Sequence, residues 1–170
     1  MKAAGILLAI ALALAAQTTI ARYVTSGTVT VDLVLVVVVY VALTSGSVAG
    51  LLTGMVAGLI QDSLLSTGVI GIGGLAKSIV GYVAGIVGTQ FIVSQPLPRF
   101  LVFFVATVGH QAITIGLSVV LGQQPFGTPY AAVAGEALVN AVVGVAAFQL
   151  SELLPGAVER RRMGKSRLRR

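Results

Sequence analysis

Six apolar runs separated by short turns leave this chain little to show to water. They extend from Ala4 to Arg22, Thr30 to Thr44, Ser47 to Leu65, Leu75 to Val93, Phe100 to Gly122 and Ala131 to Leu153. Runs of roughly 18 or more apolar residues point to transmembrane helices. Soluble domains carry about 25% charged residues. Here 9% of the 170 residues are charged and 56% are hydrophobic, too little polar surface to cover a globule. The separators "TSGT", "TSGS", "STG", "SQPLPR" and "GQQPFGTP" are made of turn-forming residues. Their brevity makes successive helices antiparallel neighbours in one compact bundle. The second run, "DLVLVVVVYVAL", is short and β-branched and would pass for a strand in water. In lipid an open strand leaves its backbone unpaired, so a helix is expected. The fold class is therefore an all-α integral membrane protein, a six-transmembrane-helix bundle over residues 1–154 followed by a basic cytoplasmic tail over 155–170.

The net charge of +6 comes mainly from that tail. It holds Arg160, Arg161, Arg162, Lys165, Arg167, Arg169 and Arg170. A basic cluster just past a membrane helix reads as a cytoplasmic anchor on anionic lipid or on an acidic partner, not as a nucleic-acid surface. An even number of spans puts both termini on one side. With the tail inside, Lys2 and Arg99 are cytoplasmic as well, and only Arg22 faces out. Lys2, the apolar run after Gly5 and the "ALA" at Ala13 to Ala15 also fit a cleavable secretory signal, which would leave five spans. A polytopic protein needs no removable signal, and the run is read as the first span.

Glycine spacing marks the packing faces. Gly50, Gly54 and Gly58 recur every fourth residue, with Asp62 next in the row. Lys77, Gly81 and Gly85 repeat that spacing on the following helix. Residues four apart share a helix face, and small ones let two backbones approach closely. Asp62 lies near a helix C-terminus and Lys77 near an N-terminus, each the unfavourable end for its charge. An unpartnered charge in a span is costly, so the two are expected to hold each other, directly or through water. Glu136 and Asn140 stand one turn apart on the last helix, and His110 lies mid-span on the fifth near Thr107 and Thr114. With Gln17, Asp62 and Lys77 they form either a polar cavity opening outward or a set of groups that satisfy one another between helices.

Chemistry is bounded by what is scarce. The chain has no cysteine, one histidine and five carboxylates, which exclude disulfides, thiolate sites and the usual multi-histidine zinc centres. The acids do not cluster on metal-ligand spacing, and "GIGGLAKS" lacks the spacing of a phosphate loop. No enzyme activity, cofactor or metal is expected. A channel or proton-coupled transporter would have to rest on His110 and Glu136, which lie at different depths.

The stretches "AQTTIARY", "VDLVLVVVVYVAL" and "GLLTGMVAGLIQDSLLSTGVIGIGGLAKSIVGYVAG" together resemble the MreD family, the rod shape-determining membrane proteins of bacteria. The residues that carry the likeness are Asp32, Gly50, Gly54, Gly58, Asp62, Gly71, Gly81, Tyr82 and Gly85. The basic tail lies outside the family's pattern. The resemblance implies a non-enzymatic subunit of the elongation machinery in the bacterial inner membrane. It implies an MreC-type bitopic partner and, in a larger complex, MreB and RodA with its transpeptidase, which makes lateral peptidoglycan. It also implies the six-helix fold of the S-components of energy-coupling-factor vitamin transporters, which supplies an alternative function, capture of a vitamin. Ala9 with Ala13 and Ala11 with Ala15 would serve docking in either case. The absence of Trp, with four Tyr and six Phe, argues against a solute pocket.

Overall fold

The computed structural model describes residues 3–23, 31–65, 70–90, 95–122 and 130–167, with side chains described for 4–19, 31–64, 70–90, 95–122 and 130–153. Six helices follow in order: α1 (Ala3–Tyr23), α2 (Leu33–Ser45), α3 (Ser47–Leu65), α4 (Ile72–Gln90), α5 (Pro96–Val120) and α6 (Tyr130–Arg167). The end of the bundle where α3 and α5 finish and α4 and α6 begin is called distal below, and the opposite end proximal. All six apolar runs are helices, including the β-branched second one.

Their lengths bear out part of the expectation of six membrane spans. Four helices, α3, α4, α5 and α6, are long and apolar enough to cross a membrane. The apolar stretches of α1 and α2 are shorter, Ala4–Thr19 and Leu33–Ser45. At 13 residues α2 covers about 20 Å, against about 30 Å of hydrocarbon. What α2 lacks in length it has in burial. Val34, Leu35, Val36, Val38, Val39, Val41 and Ala42 are all buried, and α2 touches every other helix. A helix apolar on all sides belongs at the centre of a bundle.

Gly46 alone separates α2 from α3, at φ 91°, a conformation open to glycine at little cost. Its amide closes α2 on the Ala42 carbonyl at 2.9 Å, and its own carbonyl receives the Gly50 amide at 3.0 Å. The resulting α2–α3 hairpin presents the glycine row of α3 to α4. A Cβ at Gly50 would strike the Gly81 carbonyl, one at Gly54 the Lys77 carbonyl, and one at Gly85 the backbone of Ser47. A Cβ at Gly58 would sit 2.5 Å from the Gly74 Cα. The two backbones are in contact, so Gly50, Gly54, Gly58, Gly81 and Gly85 are packing residues. One correction concerns the α4 row: Lys77 gives the interface its backbone only, while its side chain turns towards α2 and α5.

α5 and α6 zip by side chains instead. From the distal end, Gln111 meets Glu136, Thr107 meets Asn140, the Phe103 ring fills the space left by Gly144, and Arg99 meets Phe148 and Glu152. The α6 partners recur at intervals of four residues, one face of one helix. The α6 backbone stays helical to Arg167, so Arg160, Arg161, Arg162, Lys165 and Arg167 lie on it. The side chains of these tail residues, and Arg169 and Arg170 altogether, lie outside the described residues.

Candidate functional site: a buried polar network around the start of α2

Asp32 caps α2, its Oδ1 accepting the Leu35 amide at 2.9 Å. Its Oδ2 lies 2.7 Å from Lys77 Nζ, and the two side chains are 9% and 3% exposed. Lys77 Nζ also lies 3.1 Å from His110 Nε2. An ammonium only donates, so Nε2 accepts and the ring proton is assigned to Nδ1. The Asp32 amide donates to Asn140 Oδ1 at 3.1 Å. Asn140 Nδ2 reaches Thr107 Oγ1 at 3.4 Å, and that hydroxyl donates to the Phe103 carbonyl at 2.9 Å. One network thus ties α2, α4, α5 and α6 together. Asn140 and Thr107 are closed off entirely, at 0% and 1% exposure.

The sequence-based pairing of Asp62 with Lys77 is overturned. Lys77 takes Asp32, which brings opposite charges together at the start of the buried α2. Asp62 takes three backbone amides: its Oδ2 accepts from Gly71 at 2.9 Å, Gly73 at 3.0 Å and Gly74 at 3.2 Å. These are free donors of the first turn of α4. Asp62 lies in the last turn of its own helix, yet its carboxylate meets the N-terminus of the next one, where a negative charge is favoured. Gly73 leaves room for it, since a Cβ there would strike Asp62 Oδ1.

Glu136 is buried and accepts from Gln111 Nε2 at 2.8 Å. His110, Lys77 and Asn140 therefore meet in the network, Glu136 joins α5 one turn further towards the distal end, and Asp62 stands apart as a cap. Sequence reading missed Gln111, Gly144 and the Asn140 bond to the Asp32 amide. The spacing Glu136, Asn140, Gly144, Phe148 was the signal that could have found the α6 face.

A second charged contact closes the proximal end. Arg99 Nη2 lies 2.5 Å from Glu152 Oε1, and the guanidinium stands 4.6 Å from the centre of the Phe148 ring. That ring packs on Tyr40 at 4.5 Å and on Phe103 at 6.2 Å between centroids. Arg99 was expected only as an orienting charge in a loop, yet it is buried inside α5.

The described cavities are apolar and lie between helices at the bundle surface. The groove between α4 and α5, of 350 Å³, is lined by residues that include Val83, Ala84, Val105, Ala106 and Gly109. A Cβ at Gly109 would meet nothing within 4 Å. Among the described residues no group of three or more metal-ligating side chains is found.

A family model described as rod shape-determining protein MreD matches residues 3–150. No curated protein and no solved structure matches.

Proposed function

The chain belongs to the MreD family of rod shape-determining proteins, and from that premise we propose that it is a non-enzymatic, multi-pass subunit of the rod complex. It acts by helix–helix contact in the bacterial inner membrane, with both termini in the cytoplasm. It binds the single helix of an MreC-type partner and helps regulate lateral peptidoglycan synthesis alongside MreB and RodA with its transpeptidase. The tail from Arg160 to Arg170 meets anionic lipid or those cytoplasmic partners.

The observation that carries this reading is where the polar groups point. Every described carboxylate and cation has a partner within the bundle: Asp32 with Lys77, Arg99 with Glu152, Glu136 with Gln111, and Asp62 with the α4 amides. The face left for business is apolar, with Leu75, Val83, Leu101, Val105 and Leu138 all exposed. The vitamin-capture alternative finds no favouring observation, and the likeness to energy-coupling-factor S-components has no matching structure behind it.

The α4–α5 groove is the seat best suited to a partner helix, because Ala84, Ala106 and Gly109 leave room for close backbone approach. Filling it with Gly109→Trp is expected to weaken MreC binding at least about tenfold, near 1.4 kcal/mol. Co-purification from detergent, with thermal unfolding of the variant alone as control, reads the effect. Undiminished recovery of MreC would exclude this groove as its seat.

A further inference from the structure

Among the described residues, four side-chain polar atoms are buried without a hydrogen-bond partner: Gln17 Oε1, Gln61 Oε1, His110 Nδ1 and Thr114 Oγ1. Gln61 is 8% exposed and His110 7%. Buried polar atoms of this kind are rare in folded proteins, and each calls for an explanation such as a bound water or ion.

Their positions share one register. Ala13 of α1, Ala57 of α3 and Val34 of α2 pack in one apolar cluster with Ile10 and Val38. Gln17 lies one turn beyond Ala13 and Gln61 one turn beyond Ala57, on the same faces and towards the distal end. Val34 belongs to the first turn of α2, so both glutamines lie level with or beyond the point where that helix begins. Thr114 stands one turn distal of His110 on α5. Orphan atoms from α1, α3 and α5 therefore gather in the distal half of the bundle, towards the end where α2 starts.

We infer that the distal half of the bundle holds a water-filled vestibule. Gln17, Gln61 and Thr114 wall it, and the Asp32–Lys77 pair with His110 forms its floor. The charges at the floor neutralise each other at 2.7 Å, so what the walls offer is a set of uncharged donors and acceptors. The matching occupant is water, or an uncharged hydrogen-bonding solute of similar size. Asp62, capped on the α4 amides, and Glu136, held by Gln111, are the carboxylates nearest this layer. Both are already engaged.

The chain has no cysteine, which makes the vestibule directly testable by single thiols. A neutral, membrane-permeant maleimide reacts with the thiolate, and a thiol in apolar surroundings stays protonated. Gln61→Cys and Thr114→Cys are expected to label at least about tenfold faster than the lipid-facing controls Ile60→Cys and Val108→Cys. Gln17→Cys is the replacement if either wall variant fails to accumulate. Full labelling of every variant after denaturation confirms that the thiols are present. Wall thiols that react no faster than the controls in the folded protein would overturn the vestibule. A permeant reagent reads the same from either face, so the result is independent of the proposed topology and of partner binding.

Discussion

At the scale of single residues, Lys77 is the position on which most depends. Its ammonium is held by one carboxylate and one imidazole, and it is 2% exposed. Breaking a buried pair leaves a charge without its partner. Lys77→Met or Asp32→Asn alone is expected to cost about 3–5 kcal/mol. Asn keeps a side-chain oxygen for the Leu35 amide, so the Asp32→Asn loss reports the charge rather than the cap. The double variant removes both charges and should recover much of the loss, which a double-mutant cycle on thermal unfolding in detergent measures. A coupling below about 0.5 kcal/mol would show that the two side chains act independently. The sequence displayed Lys77 and Asp62 as misplaced charges, and that much was legible. Their true partners were not. The amides that hold Asp62 belong to the next helix, and Asp32 meets Lys77 only because α2 and α4 are neighbours in the folded bundle.

At the scale of elements, the glycine row of α3 was readable from its spacing alone, and α3 itself begins and ends where the apolar run does. Other ends moved for physical reasons. α4 starts at Ile72 rather than Leu75, because Asp62 supplies the acceptor for its first amides. α5 starts at Pro96 rather than Phe100, since a proline read as a loop residue also suits the first position of a helix. The α3–α4 contact yields a contrast between two glycines. Gly54→Ala would drive a methyl into the Lys77 carbonyl and is expected to cost about 1–3 kcal/mol. Gly116→Ala meets nothing within 4 Å. It should be neutral or gain up to about 1 kcal/mol through helix propensity. Unfolding midpoints in one detergent compare them; equal losses would mean that helix propensity, not backbone proximity, governs both sites.

At the scale of the whole molecule, six apolar runs translate into six helices of unequal reach, with a short one at the centre. Run length revealed the helices. It could not reveal that the most apolar one is the core, because an apolar surface suits contact with lipid and with other helices alike. The proposed topology is open to a direct check. Reporter fusions at the N-terminus and at the C-terminus should both be active in the cytoplasm, as the positive-inside bias of Lys2 and the tail requires. Activity on opposite faces would overturn that arrangement. The Asp32 amide finds its acceptor on Asn140, 108 residues further along the chain. Without α6 the Asp32 amide lacks this acceptor, and without α5 Lys77 lacks its His110 contact. A polypeptide interrupted before α6 would therefore carry an unmatched backbone amide, costly wherever water cannot reach it. A fragment without α6 thus differs physically from a chain that has it, at one buried amide far from the cut.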